Sequence, residues 1–347
     1  MNIIGCDFHP SFQQIAWLDS DSGEIRERSL LHPEEARAFY AVLPPGAVVG
    51  VEACGYTQWF EQRLAEMGHR LRIGDAAQIR AKMTRRQKTD KRDALHILNL
   101  LVEDRFPEIW VPSPEERDLR QLILHRHKQV QMRTKIKNQL HALAINQGLR
   151  LRHRLWSSAG REQLEALPML PYTAQRREQL LQLLDEMERR IAPLDRAVQA
   201  AAEDRGDALR LMTHPGVGPN TALAFVLTLG PVQRFARARK VASYLGLIPC
   251  EDSSAGKQRL GHISKQGSAL MRFLLVEAAH HARRKDPELR RYYSRVLHKG
   301  KHTGVAKVAI ARKLAVRLYW MLRFERNYEQ LQVGSSAGQP ESFCGRS

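Results

Sequence analysis

The chain has 347 residues, enough for two domains with separate hydrophobic cores, and 43% of it is hydrophobic. Lys and Arg outnumber Asp and Glu by 55 to 37, a formal net charge of +18, which points to a polyanionic partner, nucleic acid before any other. No stretch approaches the ~20 apolar residues of a membrane span. The N-terminus lacks a signal peptide's basic and apolar regions. The four cysteines (Cys6, Cys54, Cys250, Cys344) stand singly, with neither metal-ligand spacing nor a disulfide framework. These features exclude membrane and disulfide-scaffold classes and set the expectation of a cytoplasmic protein.

Residues 2–7 read as a buried strand ending on a carboxylate, 13–18 as its hairpin partner, and Ile25–Leu31 as a third strand. His32-Pro33 opens a helix running to Leu43. Val48–Glu52 is a short apolar strand that again ends on a carboxylate. Tyr56–Met67 has helical periodicity stopped by Gly68, and His69–Ile73 is another strand. Strands alternating with helices argue an α/β layer. From Ala76 to Gly148 the signals are mainly helical, and Ser113-Pro114 marks the start of a helix more than thirty residues long. A second long helix follows Pro171, where Leu180, Leu184, Met187, Ile191, Leu194 and Val198 step by four and three. That is the spacing of a coiled coil or a long antiparallel hairpin, which Pro193 is expected to disturb. A further globular unit begins near Gly206 and carries helical blocks at Gly267–Arg284 and Lys307–Leu331. The tail from Gly334, rich in Gly and Ser, reads as disordered.

The charge is unevenly spread. Residues 119–161 hold ten Lys or Arg and no Asp or Glu, and residues 254–330 hold 18 basic residues against five acidic ones. A solvated helix interleaves its signs, so a rod of one sign reads as a surface laid along phosphates. Arg126, Lys128, Arg133 and Lys137 lie on the first of these segments.

Four carboxylates stand out by position. Asp7 and Glu52 each end a strand, and Asp90 and Asp93 lie three apart at the start of a helix, on one face. If the two strands are neighbours, the helix can bring all four together. Such a cluster is costly without a cation, and a hard divalent ion, Mg2+ or Mn2+, takes oxygen ligands and suits phosphates. Arg85, Arg86 and Lys88 then stand where a phosphate backbone would pass. The plainer reading is that each carboxylate is a turn residue or a helix cap.

Several segments resemble the transposases of the insertion sequence 110 family: Gly5-Cys6-Asp7, Val51-Glu52-Ala53-Cys54-Gly55-Tyr56, Lys88-Thr89-Asp90-Lys91-Arg92-Asp93-Ala94, Pro215–Pro219 and the run from Leu245 to Gly267. The resemblance covers nearly the whole chain in order, and the last motif is the most specific. It implies an α/β ribonuclease H-like (RuvC-like) metal domain over 1–110. A long helical coiled-coil segment over 111–205 and a mainly α-helical transposase domain over 206–333 should follow, leaving 334–347 as the tail. It also implies a metal tetrad of Asp7, Glu52, Asp90 and Asp93 and a nucleophilic serine in Ser253-Ser254-Ala255-Gly256-Lys257. Ser254 is the expected nucleophile, with Ser253 second. Lys257, Arg259 and Lys265 flank it as phosphate-binding candidates. Partners implied are double-stranded donor and target DNA, a structured guide RNA and further copies of the chain in a dimer or tetramer, on a bacterial or archaeal nucleoid. Ala255 replaces a usual Gly and Cys54 a usual Thr.

Two other readings compete. A structure-selective, metal-dependent DNA endonuclease would use the tetrad alone, and a non-catalytic nucleic-acid-binding protein would use neither tetrad nor serine. Pro215–Pro219 resembles a helix-hairpin-helix turn, which offers backbone N–H groups to phosphate, or else is a tight turn between packed helices.

Overall fold

The computed structural model describes residues 2–19, 22–83, 89–150, 152–252, 259–300 and 302–331. The chain divides into two compact units, meeting in sequence between Val111 and Pro112.

The first unit is a mixed α/β layer. Strands β1 (Ile3–Phe8), β2 (Phe12–Leu18), β3 (Ile25–Leu31), β4 (Val48–Glu52) and β5 (Arg70–Gly74) form one sheet in the order β3-β2-β1-β4-β5. β1 to β3 form an antiparallel meander, while β4 and β5 join parallel to β1 and to each other. Residues alternate along β1 as a strand's period of two requires. Ile4, Cys6 and Phe8 pack with Ala36 and Tyr40 of α1 (Glu34–Ala41) and with Phe60 and Leu64 of α2 (Gln58–Glu66). Ile3 faces the opposite side with Ala94, Ile97, Leu98, Leu100 and Leu101 of α4 (Asp90–Val102). The short α3 (Ala76–Ala81) adds Ile79 to that side.

The second unit is mostly helical. α5 (Pro114–Asn146) starts in a capping box, with the Ser113 hydroxyl and the Glu116 carboxylate each taking the other's backbone N–H. It pairs with α7 (Pro171–Glu203) as an antiparallel hairpin, since Arg126 meets Asp195 while Lys137 meets Glu188. Leu180, Leu184, Met187 and Ile191 line its core with Ile136, Leu140 and Leu143. α7 runs through Pro193 to Glu203, contrary to the expected disturbance. Pro193 lies on the exposed face, where water can serve the carbonyl deprived of its N–H. α6 (Ser158–Ala166) lies in the connection between the two helices and packs Leu164 into the same core.

The remaining α-helices and strands of the described residues are α8 (Gly206–Met212), α9 (Pro219–Leu229), α10 (Ala238–Tyr244), β6 (Pro249–Glu251), β7 (Leu260–Ile263), α11 (Ala269–Lys285), α12 (Pro287–His298) and α13 (Thr303–Arg323). α9 is buried almost all round, with α7, α8 and α11 against it. α12 was not anticipated; it begins where Asp286 caps it, accepting from the Leu289 N–H at 2.9 Å. The Asp286 side chain is fully buried and also accepts from Arg317 and from the Tyr328 hydroxyl at 2.9 Å. Burial pushes this carboxyl up, but these donors outweigh it and hold it below the usual carboxylate range. Beside it, His214 is buried, its Nδ1–H donates to the Pro215 carbonyl at 2.9 Å, and its ring lies 4.4 Å from that of Tyr328. No helix of the described residues is long and apolar enough to cross a membrane.

Gly5 and Gly50 fix how closely α4 lies on the sheet. A Cβ on Gly5 would overlap the Ala94 carbonyl oxygen and the Leu98 backbone nitrogen, whereas one on Gly50 would meet the Leu101 Cδ1 at 2.6 Å. Gly5→Ala should therefore cost ~3 kcal/mol or more in chemical denaturation, and Gly50→Ala ~1 kcal/mol, because a leucine tip can rotate and a helix backbone cannot. Equal losses in the two variants would contradict this account.

Burial drives the His214 imidazole down to about 4. The unfolded chain takes that proton near pH 6.5 and the folded chain only near 4, so protons favour unfolding in between. Stability contributed by this group is complete above pH 6.5 and is lost as pH falls towards 4, by about 3 kcal/mol at most. Denaturation of the wild type and of His214→Gln across that range should show a shallower pH dependence in the variant.

Candidate metal centre

The close seat of α4 decides where its first turn lies. Ala94 and Leu98 cover Gly5 of β1, while Ile97 and Leu101 cover Gly50 of β4. One turn towards the helix N-terminus, these two rows reach Asp90 and Asp93 respectively. Two residues further along the strands, on the same face, lie Asp7 and Glu52. The β1–β4 pairing sets Ile3 beside Val48 through to Cys6 beside Val51, and the same offset carries Asp7 level with Glu52. Thr89 caps α4, its hydroxyl accepting from the Arg92 N–H at 3.4 Å. The helix N-terminus carries a partial positive charge that favours Asp90 and Asp93 there.

Asp7, Glu52 and Asp93 are half-buried and Asp90 is exposed. One ligand atom each from Asp7, His9 and Asp90 lies within 4.8 Å of the other two. The His9 Nε2 is 3.2 Å from Asp7 Oδ2 and 3.9 Å from Asp90 Oδ1. Glu52 and Asp93 flank that group without being part of it. Burial raises the Asp7 carboxyl above its usual range; His9 eases this by charge and hydrogen bond, and Asp93 and Asp90 add to it. Burial likewise raises the Cys54 thiol, and Glu52 adds to it. A half-buried carboxylate opposed by two like neighbours favours a cation, and donors that are mostly carboxylate oxygens fit a hard divalent one. His9 was not anticipated as part of this group. The signal was its place two residues after Asp7, which a strand's period would set on the same face.

Of the phosphate-binding candidates, Lys128, Arg259 and Lys265 are exposed and Arg133 is half-buried. Arg126 is paired with Asp195 at 2.6 Å, and Lys137 is paired with Glu188 at 3.1 Å and sits over the Trp156 ring. Arg85, Arg86 and Lys88 lie outside the described residues, as do Ser253, Ser254, Lys257 and the tail from Gly334. The serine segment falls in sequence between β6 and β7, which pair antiparallel. Their base is held by Arg272 of α11, which donates to the carbonyls of Leu245, Gln266 and Gly267. The Pro215–Pro219 turn packs Gly216 against the backbone of Ala278 and Ala282 in α11, where a Cβ would not fit.

Residues 208–294 match the family model described as "Transposase IS116/IS110/IS902 family", and residues 4–146 match a second, DEDD-type model described as "Transposase". A "Probable family 20 transposase" of Pseudomonas aeruginosa is 32% identical over 329 residues, covering 92% of this chain and 96% of its own. The "Transposase for insertion sequence element IS1111A" of Coxiella burnetii is 25% identical over 94% of this chain and 91% of its own. The "Transposase for insertion sequence element IS1328" of Yersinia enterocolitica is 25% identical over 82% and 85%.

Proposed function

Because the chain belongs to the IS116/IS110/IS902 family of transposases, enzymes of DNA strand transfer, we propose that it cuts and rejoins DNA with two sets of groups. One is the carboxylate tetrad Asp7, Glu52, Asp90 and Asp93; the other is the serine nucleophile Ser254. The observation that carries the first set is the stacking of Asp90 and Asp93 one helical turn above Gly5 and Gly50, beside Asp7 near the end of β1 and Glu52 at the end of β4. A sheet in which a three-stranded antiparallel meander continues into two parallel strands supports a ribonuclease H-like, RuvC-like reading of this unit.

Asp7, Glu52, Asp90 and Asp93 would hold Mg2+ or Mn2+. When bound, such a cation polarises a phosphoryl oxygen and offsets the charge that builds up during displacement. The Ser254 hydroxyl loses its proton and bonds to phosphorus, the sugar oxygen leaves and takes up a proton, and the strand is retained as a phosphoserine. Retention in a covalent bond allows a second sugar hydroxyl to reverse the step on a new partner. Plain hydrolysis would release the ends. The covalent route therefore suits strand transfer better than the structure-selective endonuclease reading.

The partners proposed are donor and target duplexes, a structured guide RNA and further copies of the chain, with the tetrad of one subunit serving the serine of another. The exposed Lys128, Arg259 and Lys265, with Arg133, support a phosphate-facing surface on the second unit. The hairpin α5–α7 is the segment proposed as the coiled coil.

Asp7→Asn and Asp93→Asn should each lower cleavage of DNA carrying the element ends by about 100-fold or more, the scale of losing one group that stabilises transition-state charge. DNA binding, measured by gel shift, should stay within about threefold, because phosphate contacts elsewhere set it. Loss of binding in step with cleavage would make these carboxylates structural.

Ser254→Ala should abolish denaturant-resistant protein–DNA adducts and leave DNA binding intact. If adducts survive in Ser254→Ala and vanish in Ser253→Ala, the nucleophile is Ser253. If strands are cut with no adduct in any protein, including wild type, the endonuclease reading replaces this one.

A further inference from the structure

His9 stands between two of the four carboxylates and lies outside the tetrad itself. Its Nε2 is 3.2 Å from Asp7 Oδ2 and 3.9 Å from Asp90 Oδ1, and a single atom from each of the three residues falls within 4.8 Å of the others. Ligand atoms about 2.1 Å from one octahedral cation lie ~3 Å apart when adjacent and ~4 Å when opposite. The observed spread therefore converges on one cation with small side-chain rotations.

The imidazole is also held for the task. His9 sits in the tight connection between β1 and β2, where its N–H donates to the Phe12 carbonyl at 3.0 Å. Its ring stacks on Phe12 with centroids 4.5 Å apart and planes 14° from parallel. Backbone and ring are thus both fixed, and Nε2 stays directed at the carboxylates. The side chain is 36% exposed, which leaves the ring edge open to an ion arriving from solvent.

We propose that His9 is a fifth ligand of the centre, bonding through Nε2, and that it shifts the preference of the site from Mg2+ towards Mn2+. This rests on the reading that the tetrad holds a divalent cation. Mg2+ takes oxygen donors almost exclusively, while Mn2+, although it favours oxygen too and is the weakest binder of the first-row divalent ions, accepts an imidazole nitrogen more readily than Mg2+ does. Replacing one oxygen by Nε2 therefore favours Mn2+ and leaves Mg2+ with a poorer donor. A histidine that only hydrogen-bonds Asp7 would orient the carboxylate without touching the ion.

The test uses the full chain without DNA, loaded with Mn2+ and examined by pulsed electron paramagnetic resonance. A coordinated imidazole imprints a 14N modulation on the manganese echo; a histidine outside the ligand sphere does not. Wild type should show this modulation, and both His9→Gln and His9→Asn should lose it. Loss of even an outer partner of a ligand costs about 10- to 100-fold in metal affinity. Mn2+ affinity by calorimetry should therefore drop at least about tenfold in these variants, and Mg2+ affinity by less than about threefold. If Mn2+ binds in a manner abolished by Asp7→Asn and shows no nitrogen modulation, His9 is no ligand and the tetrad reading stands. Modulation that persists in both His9 variants assigns the nitrogen elsewhere and overturns the proposal. If no Mn2+ binding depends on Asp7, the tetrad reading and the role of His9 fail together.

Discussion

The geometry of the first unit depends on the contact of α4 with β1 and β4. Two glycines make it: Gly5 against helix backbone, and Gly50 against the Ile97 and Leu101 side chains. A side chain at Gly5 would push the helix off the sheet, because neither the Ala94 carbonyl nor the Leu98 nitrogen can move alone. Helix geometry does the rest. The residues one turn above the contact must be Asp90 and Asp93, and those two residues beyond it on the strands must be Asp7 and Glu52. The position of the cluster is thus a packing result, and the N-terminal end of α4 moderates the repulsion among its carboxylates.

Much of this was legible in the sequence. Alternation along residues 2–7 and 13–18 and the apolar run Val48–Val51 mark the strands, and strand-end carboxylates are visible as such. The i, i+3 spacing of Asp90 and Asp93 fixes their shared face whatever the tertiary structure. The pairing of β1 with β4 rather than with a more distant strand was not readable, because strand order is set by crossover connections and not by local pattern. His9 is harder to read for a related reason. It lies one residue past the end of β1, where the strand's alternation is no longer enforced by pairing, so its place two residues after Asp7 is only a weak signal.

In the second unit the charge pattern was the stronger signal, and the fold answers part of it. A segment with ten basic residues and no acidic ones reads as self-repelling unless a polyanion neutralises it. The fold supplies part of that neutralisation internally. Asp195 and Glu188 of α7 pair with Arg126 and Lys137, Asp185 pairs with Arg161, and the Leu227 carbonyl accepts from Arg120. A helix examined alone cannot reveal charges brought to it by another helix. The surplus left for phosphate is accordingly smaller on the hairpin than the sequence implies, and Lys128 is among what remains exposed. Pro193 makes the same point for backbone: its cost depends on whether the deprived carbonyl faces water, which only the assembled hairpin decides.

Two carboxylates with opposite shifts separate scaffold from site. Asp286 is fully buried, yet a backbone N–H, a guanidinium and a tyrosine hydroxyl meet its oxygens, and its carboxyl is held down despite the burial. It is a finished network, and stability is its use. Asp7 is less buried, yet burial raises its carboxyl, with His9 as the group that relieves it and two neighbouring carboxylates that oppose it. Evolution of a stable fold alone would favour the first arrangement at both places, since an opposed buried charge is a standing cost. The proposed divalent cation would offset that cost, because its attraction to each carboxylate outweighs the repulsion between them. The imbalance left in the first unit, set beside the completed network in the second, is what the proposed metal centre accounts for in physical terms.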